Sequence, residues 1–168
     1  MDELIRYCPD CGTEVEIETH FGRPRAVCPA CDRVHFQDPK VAASVLIEQA
    51  GKILLVKRVM VPLQGTWTLP AGFVDADEDP RAAAAREVLE ETGLIVKIGE
   101  LYDVIYGREH DRGASIVIVY HGHVKGGTLQ AQDDAEDARF FSPDEIPELG
   151  FEATKKVVRW WAEKSKPA

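Results

Sequence analysis

The stretch Gly72–Leu94, GFVDADEDPRAAAAREVLEETGL, decides how the rest of the chain is read. Asp79-Pro80 is a helix start: a carboxylate oxygen can cap the first turn, and the missing proline N–H costs nothing there. Gly93 is a natural stop, since helices commonly end on a left-handed glycine. The residues between them predict a helix of about three turns. On it Glu87, Glu90 and Glu91 stand at i, i+3 and i+4, sharing one face with Cβ atoms roughly 5–6 Å apart. Like charges so placed weaken an isolated helix by about 0.2–0.5 kcal/mol per pair. A divalent cation held between them would offset that repulsion, and hard carboxylate oxygens suit Mg²⁺ or Mn²⁺. Glu78 adds a carboxylate from the loop, Arg86 supplies a cation that can orient one of the acids, and Ala82–Ala85 keep the first turns slim enough to pack on a sheet. A solvated acidic helix face is the alternative, but it gives no reason for the glycines, the arginine and the carboxylates to coincide.

Upstream, the alternating aliphatic segment Val41–Ile47 and the run Ile53–Val56 predict a β-hairpin across Gln49-Ala50-Gly51-Lys52. Lys57-Arg58 then lead through a loop to Trp67-Thr68-Leu69-Pro70-Ala71-Gly72, with Trp67 expected in the core rather than stacked on a ligand. Downstream, Ile95–Ile98, Leu101–Tyr106 and the β-branched Ser115–Val124 read as strands. Between the last two lies the charged loop GREHDRG, residues 107–113, where Arg108 and Arg112 could meet phosphates or simply face water. The acids of 133–137 precede a short aromatic strand, Ala138–Phe141. From Phe151 to Lys164 a helix is expected to lay Thr154, Val157, Val158 and Trp161 on the sheet.

All four cysteines fall in the first 38 residues as Cys8-Pro-Asp-Cys11 and Cys28-Pro-Ala-Cys31, with sixteen residues between the pairs. Two such knuckles in one chain are a zinc pattern. Four thiolates close a tetrahedral shell and leave no open position, so Zn²⁺ there would be structural. Disulfide and thioredoxin-like readings fit two CxxC pairs without a leader poorly. Gly12 follows the first knuckle and Asp32 the second, while His20 and His35 are expected to be bystanders.

The formal net charge of −9 is local. Residues 72–94 hold seven acids and two bases, and residues 131–148 hold seven acids and one base, leaving the remainder slightly basic. Such concentration suits a cation site and argues against a nucleic-acid surface, as do the eight acids against four arginines in residues 1–38. With 45% hydrophobic residues, 168 residues can bury one good core plus a small appendage. No apolar run is long enough to span a bilayer and no leader is evident, so a soluble cytoplasmic protein is expected, without a membrane partner.

Gly72, Glu78, Arg86-Glu87, Val88, Glu90-Glu91, Gly93 and Leu94, preceded by Gly65-x-Trp67-x-Leu69-Pro70-x-Gly72, together resemble the Nudix box at every defining position. With the knuckles, the chain is similar to zinc-ribbon Nudix hydrolases, a group that includes NADH pyrophosphatases and enzymes acting on ADP-ribose or FAD. The resemblance implies an α+β fold, a Nudix-type α/β/α sandwich around a mixed sheet over residues 39–168, with an N-terminal zinc ribbon over 1–38. It implies Glu87 and Glu91 as Mg²⁺ or Mn²⁺ ligands, Glu90 as ligand or base, Arg86 and Glu78 in support, and a backbone carbonyl at Ala71 or Gly72 as a further ligand. An acid ahead of the last strand often reaches back to the metals in such proteins. Asp137 best matches it, with Asp134 and Glu136 as alternatives, although Asp is shorter than the usual Glu. Arg58, Phe73, Arg108 and Arg112 are the candidate substrate contacts, and a second copy of the chain is a candidate partner.

The implied reaction is hydrolysis of a nucleoside diphosphate linked to another group, such as ADP-ribose or FAD, to a nucleoside monophosphate and a phosphorylated product. NADH pyrophosphatases carry an array SQPWPxPxS after the box, and nothing between Leu94 and Val124 resembles it, which disfavours NADH. The competing readings are an NADH, NAD or RNA-cap diphosphatase, a nucleoside triphosphate pyrophosphatase, and a non-enzymatic ADP-ribose sensor. The complete set of box carboxylates argues against the sensor.

Overall fold

The computed structural model describes residues 5–107 and 116–164. The chain divides into two compact units, Met1–Pro39 and Lys40–Ala168.

In the first unit β1 (Glu16–His20), β2 (Arg23–Val27) and β3 (Val34–His35) form a small antiparallel sheet in the order β1-β2-β3. The two knuckles fold alike. Gly12 N–H donates to the Cys8 carbonyl (2.8 Å) and Asp32 N–H to the Cys28 carbonyl (2.9 Å). Gly12 (φ 74°) and Asp32 (φ 56°) are both left-handed, a conformation that Asp tolerates better than most residues.

The second unit contains β4 (Val41–Gln49), β5 (Lys52–Arg58), β6 (Trp67–Thr68), β7 (Ala71–Phe73), α1 (Pro80–Thr92), β8 (Leu94–Tyr106), β9 (Ile116–Gly127), β10 (Ala135–Phe141) and α2 (Glu152–Lys164). The strands make one mixed sheet in the order β10-β5-β4-β9-β8, with β6 on β5 and β7 on β4. β4 and β9 run parallel and every other pair is antiparallel.

β4 is buried on both faces, and its alternation serves two cores. Ala43, Val45 and Ile47 pack with Leu54 against Ala83, Ala84 and Val88 of α1. Leu46 faces the other way, with Ile53 and Leu55 against Val157, Val158 and Trp161 of α2. Each fully buried side chain of this size contributes about 1.5–3 kcal/mol. The expected stripe of α2 is the buried one, with Ala153 added. In α1 the slim contact is made by Ala83 and Ala84, whereas Ala82 is exposed. Trp67 meets Phe141 edge-on at 4.7 Å and packs on the α2-side core.

One sheet detail positions the site. β5 pairs with β4 only at Glu48–Gln49, while β7 pairs with it at Ala42–Ser44. Val45 N–H donates to the Pro70 carbonyl between the two (3.0 Å). This fork carries Pro70–Phe73 alongside α1. The two strands expected after the box are one, β8, whose register shifts between Ile98 and Leu101. Gly99 lies in that irregularity, and its carbonyl accepts from the Arg81 guanidinium. A bulge of this kind interrupts the alternation without ending the pairing.

Candidate functional site

The four cysteine sulfurs of the first unit lie within 4.8 Å of one another. Cys8–Cys31 are 3.8 Å apart, Cys11–Cys28 3.4 Å and Cys11–Cys31 3.9 Å. A tetrahedron with Zn–S near ~2.3 Å sets sulfurs about 3.8 Å apart, so the donors are already spaced for the ion. Their soft thiolates suit zinc. His20 bonds Glu18 and His35 lies on β3; neither joins the cluster.

In the second unit Asp79 caps α1, its carboxylate accepting from Arg81 N–H (2.8 Å) and Ala82 N–H (3.3 Å), and Gly93 ends it in the left-handed region (φ 68°). The helix thereby holds Glu87 and Glu91 against β7 and leaves Glu90 exposed beside Arg86. Arg86 organises them. Its Nε and one Nη each donate to Glu78 at 2.8 Å, a two-pronged pairing of fork with carboxylate. The same Nη donates to the Phe73 carbonyl (3.1 Å), and the other donates to Glu87 (2.6 Å) and Glu90 (3.0 Å). The guanidinium holds the Glu78 carboxyl below the usual carboxylate range. Its own proton is held more tightly than usual, chiefly by Glu78.

Glu91 is buried, 3% exposed, and receives the Ala71 N–H at 3.1 Å. Burial pushes its carboxyl well above the usual range, and the charges of Asp134 and Glu87 add to the shift. Glu87 is raised for the same reason, burial outweighing the nearby Arg86. Gly72 lies beside it, and a Cβ there would overlap the Glu87 carboxyl carbon and both oxygens. Buried carboxylates that repel one another and retain unused lone pairs are what a hard divalent cation relieves, so these residues fit such an ion.

Of the acids in 133–137, Asp134 is the one whose charge raises the carboxyls of both Glu87 and Glu91. Asp137, the expected one, turns elsewhere: it pairs with Arg139 (2.5 Å) and accepts from the Ala138 N–H (2.8 Å). The reason is a register shift between Ala135 and Asp137 on β10, which changes the phase of the side chains. Glu136 pairs with Lys57 (3.1 Å).

A cavity of about 720 Å³ opens beside the cluster. Gly72, Phe73, Glu87, Asp133 and Asp134 are among its lining, as are Thr68, Leu69, Val117 and Val119 of the sheet with Phe151, Ala153, Thr154 and Val157. Arg58 and Phe73, both candidate contacts, reach it. The Arg58 guanidinium sits 4.8 Å from the centre of the Phe151 ring, and its Nε is buried with no hydrogen-bond partner among the described residues. Arg108 and Arg112 lie outside the described residues. Thr68, Thr154 and Phe151 as cavity walls carry no local sequence signal, because they meet only through the fold.

A family profile described as NUDIX domain matches residues 38–161. The chain belongs to the Nudix hydrolase family. The Nudix N-terminal profile, the zinc ribbon that accompanies it, matches residues 6–37. This Nudix chain is 43% identical over 126 residues to an ADP-ribose pyrophosphatase of Methanocaldococcus jannaschii, covering 73% of this chain and 75% of that one. It is 33% identical over 148 residues to the NAD-capped RNA hydrolase NudC of Pseudomonas aeruginosa, covering 86% of this chain and 50% of that protein. Among solved structures, a NUDIX hydrolase from Nitrosomonas europaea superposes with a TM-score of 0.85 at 33% identity, over 95% of this chain and 92% of that one. The α+β Nudix fold expected from the box is thus the fold observed. No helix among the described residues is long and apolar enough to cross a membrane.

Proposed function

We propose that residues 39–168 hydrolyse the diphosphate of a nucleoside diphosphate linked to a second group, with ADP-ribose and FAD as the leading substrates, and that residues 1–38 are a zinc ribbon of structural role. The observation that carries this reading is the Arg86 clamp, which aligns Glu87 and Glu90 beside buried Glu91, with Glu87 lining a cavity of about 720 Å³. The 43% identical archaeal relative named for ADP-ribose supports the substrate class.

Glu87, Glu91 and Asp134 would hold Mg²⁺ or Mn²⁺, with Glu90 or a carbonyl at Ala71 or Gly72 completing the set. When bound, the metal would neutralise the diphosphate and lower the pKa of attached water. Water adds to one phosphorus as the bridging P–O bond breaks, giving a nucleoside monophosphate and a phosphorylated product. Glu90, the most exposed of the helix acids that Arg86 holds, is placed to take the water's proton. Arg86 keeps Glu87 and Glu90 in one geometry throughout, and the Ala71 N–H fixes Glu91. Arg58 faces the substrate phosphates.

The test is a panel of ADP-ribose, FAD, NADH, NAD-capped RNA and deoxynucleoside triphosphates with Mg²⁺ or Mn²⁺, each product identified by mass. AMP with ribose 5-phosphate or FMN is expected. A nucleoside monophosphate with inorganic diphosphate would replace the reading by a triphosphate pyrophosphatase, and binding of ADP-ribose without cleavage would replace it by a sensor.

A further inference from the structure

A second opening lies on the α2 side of the sheet, beside the bulge of β8, and shares no lining residue with the cavity next to the carboxylates. The register shift between Ile98 and Leu101, braced where Arg81 holds the Gly99 carbonyl, brings Glu100 and Leu101 to its rim. Across from them Trp161 is buried, and its indole N–H donates to Glu48 (3.1 Å). Trp160, one residue back on the helix, is left half-buried and lines the opening. Glu163 and Lys164 stand at i+3 and i+4 from it, on the same helix face. Tyr102 and His121, edge-on at 5.1 Å, complete the lining. All these side chains are half-buried or exposed, so solvent reaches the site. Its volume is about 400 Å³, inside the range of small-molecule sites.

Two electron-rich rings, an imidazole and two carboxylates are the materials of an organic-cation site. No hydrogen bond or ion pair engages Glu100 or Glu163 among the described residues. The protein's own ammonium groups show that these rings take cations: Lys164 Nζ lies 5.5 Å from the centre of the Tyr102 ring, and Lys156 Nζ 4.5 Å from that of Trp160. Lys164 is exposed, and a strongly hydrated primary ammonium gains little on a wet ring face, so it is readily displaced. A phosphate or carboxylate would meet both glutamates with Lys164 alone in the lining to offset them. An uncharged aliphatic group would leave the glutamates unanswered.

We propose that this opening is a second ligand site, for a small alkylated ammonium compound of the choline type. The methylated nitrogen rests against Trp160 and Tyr102 in place of the Lys164 ammonium, and Glu100 and Glu163 answer its charge. The site stands whatever diphosphate the carboxylate centre cleaves.

Titrating choline into the full chain, nitrogen-labelled and loaded with Zn²⁺ and saturating Mg²⁺, tests this by NMR on the backbone amides of Tyr102 and His121. Saturable shifts are expected there. The uncharged isostere, with carbon in place of the nitrogen, should bind about tenfold or more weaker. Glu100→Gln and Glu163→Gln should each weaken choline by about threefold. Lys164→Gln removes the competitor and should tighten it by about twofold or more. All three positions are exposed, so the variants keep the fold. An anion site would reverse every one of these signs. That reversal, equal binding of the isostere, shifts indifferent to both glutamates, or no saturable shift at Tyr102 and His121 would each overturn the proposal.

Discussion

Gly72→Ala isolates the geometry of the carboxylate cluster. Gly72 pairs with Ala43 inside the sheet, and its backbone does not occupy the left-handed region, so alanine adopts it without strain. The nearest group in the way is Glu87, whose carboxyl carbon and oxygens occupy the space of the new Cβ. Glu87 must rotate, giving up its 2.6 Å bond to Arg86, a charged hydrogen bond worth about 1.5–3 kcal/mol. Replacing glycine by alanine returns about 0.4–1 kcal/mol through the unfolded chain. The net loss is about 1–2 kcal/mol, a fall in Tm of roughly 2–8 °C at ~2–4 °C per kcal/mol for a chain of this size. Glu87 leaves the metal face entirely, so Mg²⁺ affinity and kcat/KM should fall by about 100-fold or more, the upper end of what disturbing a ligand's support costs. Mg²⁺ titration of ADP-ribose turnover, run beside a thermal melt, measures both. A Gly72→Ala protein with unaltered Mg²⁺ dependence would refute the placement of Glu87 at the metal.

Asp134→Ala should cut turnover by about 10-fold or more while Asp137→Ala leaves it within about twofold, since only Asp134 shares the field of Glu87 and Glu91; steady-state rates at saturating Mg²⁺ compare them. Glu91→Gln should lower kcat by roughly 100-fold or more, yet melt at the same temperature or higher without divalent metal at pH 8. The sign follows from the raised carboxyl of Glu91. Its cost is absent below the ordinary carboxylate range, grows as pH rises from there to the raised value and is fully present above it, so the gap between variant and parent should narrow as pH falls from 8 to 5. Added Mg²⁺ should therefore raise the parent's Tm more at pH 8 than at pH 5. Removing zinc with a strong chelator should abolish hydrogen-exchange protection in β1–β3 and spare β4–β9, because a structural zinc site contributes about 10–16 kcal/mol to a small metallo-domain.

What could be read from residues alone was whatever is local along the chain. The helix bounds at Asp79 and Gly93, the shared face of Glu87, Glu90 and Glu91, and the cysteine knuckles each depend on spacing within one element. Asp134 stood among the sequence candidates, but the choice between it and Asp137 was not legible, because the register shift between Ala135 and Asp137 changes the strand's phase without a compositional mark. Gly99 made one bulged strand look like two. The cavity was invisible for a different reason: Thr68 and Thr154 touch across 86 residues, and only the folded sheet brings β6 under α2.

The Arg86 fork also bears on how such a protein can change over time. Every partner it holds, from the Phe73 carbonyl to Glu90, lies within eighteen consecutive residues. The walls under α2 come from segments far outside that span. Mutations that reshape those walls therefore leave the reactive assembly intact, and mutations inside the span cannot be rescued from the walls. Change in those walls can accumulate while a single unaltered piece of chemistry stays at the centre.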